Sequence, residues 1–277
     1  MERADEELLA AIRAGNDAAI GMLLARHAPA IYRFGVKMCR DSEDAKDVLQ
    51  DTLLAAARGI REFRGASSLS TWLYTVARSF CIKKRRASKF APTQTVSLND
   101  HASAMDAPAP DRAPDEAAAD RELSTLLDRA IAELEPANRE VLVLRDVEGL
   151  TAPEVAQVLG VSVDAVKSRL HRARAEVRAK LEAALPRAER ASEGAAGRGC
   201  PDVVALFSRF LEGEIGAADC AAMQAHVAMC KRCNAACDSL KHTLALCRAE
   251  SRGDVPSDVQ ELVRKALREL TAQTTRP

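Results

Sequence analysis

The residues best suited to chemistry lie in the last third of the chain. His226 and Cys230 are four residues apart, so on a helix they share one face, and Cys233 completes a Cys-x-x-Cys pair at zinc spacing. A closed tetrahedral zinc site needs a fourth ligand, for which Cys200 and Cys220 are the candidates. We therefore predict one bound zinc ion in this region.

The rest of the chain favours a metal over disulfides. The first residues, MERADEELLA, are charged, and no run of 18 uncharged apolar residues occurs. We therefore expect a cytoplasmic protein without a signal peptide or a membrane segment. Structural disulfides are rare in the cytoplasm. Cys237 follows Cys233 by four residues and could exchange with a ligand on oxidation or bind a second metal. A purely structural zinc site is an equal alternative.

A second candidate site is a basic helix within residues 139–180. Thr151 can cap a short helix, Pro153 suits its first turn, and Gly160 suits its left-handed end. A second helix follows over 163–177, with an apolar face formed by Val166, Leu170, Ala173 and Val177. This is a helix-turn-helix pattern, and its basic face predicts contact with DNA. The predicted DNA-binding residues are Lys167, Ser168, Arg169, His171, Arg172 and Arg174. The alternative is an arginine-rich face exposed to solvent.

Aromatic and basic residues also lie close together in the helix predicted over residues 71–89. Aromatic rings can stack on unpaired bases while cations follow the phosphates, so this helix suits a protein that opens a duplex. Trp72 and Phe80 could instead belong to the core. The residues predicted to contact nucleic acid here are Trp72, Arg78, Lys83, Lys84, Arg85 and Arg86.

Composition predicts an all-α fold that positions these sites. The 277 residues are 47% hydrophobic but only 3% aromatic, and no stretch alternates as a strand would. The net charge of zero is a sum of unlike zones, because residues 1–90 carry +5 and residues 91–120 carry −5. Four prolines and the absence of aromatics predict a flexible linker over 91–120, and a shorter one is predicted over 187–199. Neutrality therefore does not exclude a nucleic-acid partner.

Two of the predicted domains resemble those of the extracytoplasmic-function (ECF) sigma factors. The run Val166–Arg174 closely resembles the recognition helix of their second sigma domain, here residues 121–186, which would read the −35 promoter element. Residues 1–90 would then be the first sigma domain, and Phe63–Arg78 resembles the segment that melts and holds the −10 element. The run Asp44–Asp51 is similar to the helix that docks on RNA polymerase. The resemblance implies a polymerase-binding surface formed by Asp44, Asp47, Val48, Gln50 and Asp51. An ordinary solvated acidic helix face is the alternative interpretation.

Residues 200–277 resemble a zinc-binding anti-sigma domain. The resemblance rests on Cys200-Pro-Asp, on Phe210-Leu-Glu-Gly-Glu214 and on the His226 motif, and it favours the ligand set Cys200, His226, Cys230 and Cys233. Such domains usually belong to a separate protein that masks its sigma factor, so fusion to the sigma domains implies intramolecular contact and control in cis. An apolar helix over 257–270 could bind a partner or cap the zinc domain.

Together these features predict a bacterial transcription initiation factor that is not an enzyme. Its partners would be core RNA polymerase and promoter DNA, and its cofactor one zinc ion. The alternative is a helix-turn-helix regulator that acts without a sigma role.

Overall fold

The computed structural model describes residues 2–39, 41–90, 114–184, 200–250 and 255–274. These residues form helices and turns with no β-strand, which confirms the all-α prediction. The twelve α-helices are α1 (Glu2–Arg13), α2 (Ala18–Cys39), α3 (Ser42–Gly59), α4 (Leu69–Phe90), α5 (Pro114–Ala132), α6 (Pro136–Leu142), α7 (Ala152–Leu159), α8 (Val163–Ala184), α9 (Val203–Leu211), α10 (Ala217–Met229), α11 (Lys231–Glu250) and α12 (Ser257–Thr274).

The chain divides into two compact units. One contains residues 1–108, 157–159 and 253–277, and the other contains residues 109–156 and 160–252. The region after residue 199 is therefore shared, because α9, α10 and α11 belong to the second unit whereas α12 belongs to the first.

The core of the first unit lies among α2, α3 and α4. Apolar side chains at helical spacing point inward and are fully or almost fully buried, and each leucine or phenylalanine contributes about 1.5–3 kcal/mol. The largest are Leu23, Leu24, Phe34, Leu49, Leu53 and Leu73. Helix α3 is capped by Asp41, whose side chain accepts from the backbone N–H of Glu43.

The helix-turn-helix of the second unit has the predicted geometry. Thr151 and Glu154 form a reciprocal capping box at the start of α7, and Pro153 lies in its first turn. Gly160 ends α7 at a φ of 67°, a left-handed conformation that glycine adopts without steric cost. The predicted apolar face of α8 is buried throughout. Before this motif, α6 passes directly into a π-helical turn at residues 143–147.

The structure changes one predicted linker. Helix α5 begins at Pro114, so residues 114–120 are helical although they fall in the range predicted to be flexible. Proline suits the first turn of a helix, where its missing N–H has no partner to lose. Residues 91–113 and the predicted linker 187–199 lie outside the described residues. No helix among the described residues is both long and apolar enough to span a membrane.

Candidate metal centre and nucleic-acid interface

Four predicted ligands converge in the second unit. The ligand atoms of Cys200, His226, Cys230 and Cys233 all lie within 4.8 Å of one another. The Sγ atoms of Cys200 and Cys230 are 3.9 Å apart, close to the roughly 3.8 Å that two Zn–S bonds of about 2.3 Å give in a tetrahedron. Cys200 lies three residues before α9, and His226 lies in the last turn of α10. Cys230 lies between α10 and α11, and Cys233 lies in the first turn of α11. The set of three thiols and one imidazole fits zinc.

The thiols of the cluster shift the pKa values of one another. The backbone N–H of Cys233 donates toward Cys230 and lowers the pKa of the Cys230 thiol. Burial, with the neighbouring thiols of Cys230 and Cys200, raises the pKa of Cys233 to about 12. Three thiolates cannot coexist at this spacing without compensation, and a divalent cation supplies it.

The remaining cysteines of this region lie outside the cluster. Cys220 is on α10 and is absent from the group of four, so the described residues bring Cys200 to the fourth position. Cys237 is buried beside Val203 and Cys233 in a small apolar core, and burial raises its thiol pKa. It therefore packs as a small apolar side chain.

The predicted DNA-binding residues of α8 differ widely in exposure. Ser168 and Arg172 are exposed, whereas Lys167, Arg169 and His171 are half-buried. Arg174 is only 2% exposed. Its guanidinium donates two hydrogen bonds to Asp146, with N···O distances of 2.8 and 2.7 Å, and a further one to Ser208. In this arrangement Arg174 is an internal anchor and is withdrawn from solvent.

Two glutamates after α9 contact α8, and sequence reasoning did not assign them a role. Glu212 accepts from Arg174 at 2.7 Å and from Arg145 at 3.2 Å. Glu214 lies 2.7 Å from Nε2 of His171 and 3.7 Å from Nζ of Lys167. Gly213, at a φ of 68°, turns the chain between the two glutamates. The only sequence signal was the Phe210–Glu214 run, noted for its resemblance to anti-sigma domains.

The buried glutamate is held ionised. Burial alone would raise the pKa of Glu212, but the hydrogen bond and charge of Arg174, with those of Arg145, lower it below its ordinary value. The side chains of Arg174 and Glu212 are each only 2% exposed. Removing either partner of such a buried ion pair would leave the other charge uncompensated and would destabilise the fold.

In the first unit, the aromatic and basic residues of α4 divide between core and surface. Trp72 is half-buried against Phe63, with ring centroids 5.5 Å apart, and a β-carbon at Gly59 would lie 3.2 Å from its ring. Lys83 is exposed and lies over the Phe80 ring, 4.8 Å from its centroid. Arg78 and Arg85 are half-buried and Arg86 is exposed. Part of the Trp72 ring thus packs against Phe63 and Gly59, and part of the side chain remains accessible to solvent.

The predicted polymerase-binding residues lie on α3. Val48 is fully buried, so it supports the helix from inside. Asp47 and Asp51 are exposed, and Asp44 and Gln50 are half-buried. Lys84 of α4 forms ion pairs with both Asp44 and Asp47, and these hydrogen bonds raise the pKa of Lys84.

Helix α12 packs on the first unit. Its apolar residues Val259, Val263 and Ala266 are buried, and the helix contacts α2 and α3. Asp258 pairs with Lys46 of α3 at 2.7 Å. Helix α12 therefore packs on α2 and α3 of the same unit.

Three families match successive parts of the chain. Residues 23–90 match "Sigma-70 region 2", and residues 124–177 match "Sigma-70, region 4". Residues 200–234 match the family described as "Putative zinc-finger", a range that contains all four clustered ligands. The region 2 match favours a sigma factor over a helix-turn-helix regulator without a sigma role.

Curated relatives agree with these matches. The ECF RNA polymerase sigma factor SigM of Mycobacterium tuberculosis is 36% identical over 180 residues, which is 64% of this chain and 84% of SigM. The RNA polymerase sigma factor CnrH of Cupriavidus metallidurans is 32% identical over 188 residues, 66% of this chain and 96% of CnrH. A solved structure of CnrH with the cytosolic domain of CnrY aligns with a TM-score of 0.48 and 30% identity, covering 66% of this chain and 99% of that one.

Sigma factors bind core RNA polymerase and promoter DNA and act in transcription initiation, without being catalytic enzymes themselves. The two sigma regions occur here in order, and a zinc-finger-like region follows them. The chain belongs to the ECF RNA polymerase sigma factors.

Proposed function

We propose that this ECF sigma factor is controlled in cis by its region after residue 199, and that one zinc ion holds the first part of that region together. The observation that carries the proposal is the contact of Glu212 with Arg174 and of Glu214 with His171 and Lys167, all on α8. These side chains belong to α8, which would face promoter DNA as the recognition helix of a sigma region 4.

Competition for the same side chains explains how the contact would act. His171 and Lys167 can each serve one anionic partner at a time, a DNA phosphate or the Glu214 carboxylate. Exposed Ser168 and Arg172 remain available, so DNA binding would be weakened rather than abolished. Arg174 anchors both α8 and the segment after α9 through Asp146 and Glu212.

Zinc has a structural role in this proposal. Cys200, His226, Cys230 and Cys233 would bind it as a closed four-ligand site, with no position for substrate. Helices α9 and α10 are short, and the core beside the cluster consists chiefly of Val203, Cys233 and Cys237. So small a core needs the metal to stay folded and to present the two glutamates.

In the first unit we propose that α4 contacts the −10 element and α3 contacts polymerase. Exposed Lys83 and Arg86, with the accessible edge of Trp72, suit an unpaired strand. Exposed Asp47 and Asp51 suit a basic or polar polymerase surface. Helix α12 lies beside this face through the Lys46–Asp258 pair, so it would limit access of polymerase to α3.

A charge reversal tests the cis control. We expect Glu214→Arg in the full-length protein to bind −35 promoter DNA roughly tenfold more tightly, since a hydrogen bond to a charged group contributes about 1.5–3 kcal/mol. Asp219→Arg, an exposed change of equal charge in the same region, is the matched control. Equal DNA affinity of the two variants would refute masking by Glu214.

Run-off transcription with core polymerase tests the assigned interfaces separately. The full-length protein should give a promoter-dependent transcript, with more transcript from Glu214→Arg. Asp47→Arg/Asp51→Arg should lower core binding without changing the DNA affinity of the isolated protein. Unchanged core binding would remove α3 from the polymerase interface.

A further inference from the structure

Two cysteines far apart in sequence meet in the first unit. Cys39 is the last residue of α2, and Cys81 lies in α4. Their Sγ atoms are 3.5 Å apart, and both residues are thiols. Cys39 is half-buried whereas Cys81 is 1% exposed. Neither residue belongs to the zinc cluster, nor to the surfaces proposed for DNA or polymerase.

We propose that Cys39 and Cys81 form an oxidation site, at which a small peroxide converts the two thiols into one disulfide. Helices α2 and α4 would need to move only a little to form the bond, because a disulfide bond is about 2.05 Å long and the two sulfurs are already in contact. This inference is independent of the cis control proposed above.

The reaction takes place in two balanced steps. The Cys39 thiolate attacks one oxygen of hydrogen peroxide, the O–O bond breaks, and a sulfenic acid and hydroxide result. The Cys81 sulfur then attacks the Cys39 sulfur and displaces the hydroxyl group, which leaves as water after taking up a proton. Overall, two thiols and one peroxide give one disulfide and two waters, and an external dithiol reverses the change.

The surroundings assign the two roles. Cys39 meets the oxidant first because it is the more exposed thiol. Its pKa is lowered chiefly by the hydrogen bond with Cys81, with help from the charges of Arg85 and Lys84 and against burial and Asp44. A more acidic thiol is more often the reactive thiolate. Buried Cys81 is positioned to resolve the sulfenic acid.

The bond would join α2 to α4, close to the start of α3. Cys39 precedes the Asp41 cap of α3, and Cys81 is three residues before Lys84, which pairs with Asp44 and Asp47 of α3. A covalent link here closes a loop of about 40 residues, so the first unit should resist unfolding more strongly when oxidised.

Peptide mapping of the zinc-loaded, full-length protein tests the proposal. After equimolar hydrogen peroxide, a non-reduced tryptic digest should contain residues 38–40 linked to residues 79–83, and dithiothreitol should abolish the linked species. Thermal unfolding of the first unit should shift upward with the link. A Cys39 sulfenic acid that persists without the link, or links only to cysteines after residue 199, would overturn the proposal.

Two variants separate the roles. In Cys81→Ala the Cys39 sulfenic acid should persist, so labelling of Cys39 by dimedone should rise at least tenfold over the wild type. In Cys39→Ala, Cys81 should remain unlabelled and the zinc content should be unchanged. Equal dimedone labelling in the wild type and in Cys81→Ala would show that Cys81 does not resolve the intermediate.

Discussion

The region after residue 199 makes two unlike contacts. In the second unit, Glu212 contacts Arg174 of α8, and Glu214 contacts His171 and Lys167 of the same helix, so these contacts are polar. In the first unit, α12 meets α2 and α3 mainly through Val259, Val263 and Ala266, with one ion pair at Lys46. One contact is polar and specific, whereas the other is apolar and broad.

The difference indicates separate tasks. A contact between charges competes directly with DNA phosphates and responds to salt and pH. The strength of an apolar contact depends little on pH or on the screening of charges by salt. Because the hydrophobic effect is non-directional, such a contact can hold a helix in place without specific polar partners. The polar contact is therefore suited to regulation and the apolar contact to attachment, and five changes can break or sharpen this contrast.

Loss of zinc should have the largest effect on stability. It should disrupt the polar contact and leave the apolar contact of α12 intact. In Cys230→Ser the folding free energy of residues 200–250 should fall by about 10 kcal/mol, since metal binding and folding of such small sites are coupled. Hydrogen exchange should rise across α9 to α11, while α12 stays protected. Cys220→Ser, outside the cluster, should keep its zinc. Intact protection of α9 after zinc loss would contradict the structural role.

Removal of the anchor should come next. Arg174→Met leaves Asp146 buried without its cation and leaves Glu212 with Arg145 alone, which should lower the unfolding free energy of the second unit by about 3–5 kcal/mol. Arg172→Met, on the exposed face, should change it by less than about 0.5 kcal/mol. Urea denaturation measures both variants, and equal losses would show that burial of Arg174 does not matter.

Acidification should weaken the polar contact through Glu212. Because its pKa is lowered in the folded protein, ionised Glu212 stabilises the fold above its ordinary value of 4.5, and this stability is lost as pH falls through the folded pKa. Glu212→Gln should cost about 1.5–3 kcal/mol at pH 7. The difference from the wild type should shrink as pH falls below the ordinary value of 4.5. A difference independent of pH would exclude Glu212 as the source.

The apolar contact should instead weaken when a buried side chain of α12 is made smaller. Val259 is fully buried, so Val259→Ala should cost about 2 kcal/mol of α12 attachment, independent of salt. Glu261→Ala, on the exposed side of the same helix, is the matched control. Hydrogen exchange of α12 reports the change, and a strong salt dependence would argue against an apolar contact.

The smallest effect should come from the ion pair of the apolar contact. Lys46→Met should destabilise by less than about 1 kcal/mol, because the Asp258 side chain is 58% exposed and water screens the pair. The effect should vanish at high salt. A loss as large as that of Val259→Ala would make the two contacts alike in kind.

Local patterns predicted much of this molecule. Helical periodicity identified the buried face of α8, and Thr151 and Gly160 marked the ends of α7, because capping and left-handed glycine depend on neighbouring residues alone. The motif spacing identified three of the four residues that converge in the cluster, and the resemblance favoured Cys200 over Cys220 as the fourth.

The sequence patterns did not predict contacts between residues that are far apart in the chain. Basic charge assigned Arg174 to the DNA-facing side, but its burial depends on Asp146, 28 residues away, and on Glu212, 38 residues away. Cys39 and Cys81 looked like isolated thiols because 42 residues separate them. Such pairings follow from how helices pack, which periodicity within one helix does not determine.

The covalent continuity of the chain gives the Glu214–His171 contact a further property. Both residues lie in one polypeptide, so their encounter is governed by an effective concentration, on the order of millimolar for short flexible connections, whatever the cellular abundance of the protein. A separate inhibitor can be outnumbered by its target, whereas an inhibitor within the same chain, as proposed above, would always be present in equal amount. Dilution should therefore leave the masked fraction unchanged, and only a competing ligand or a change in the metal site should release it.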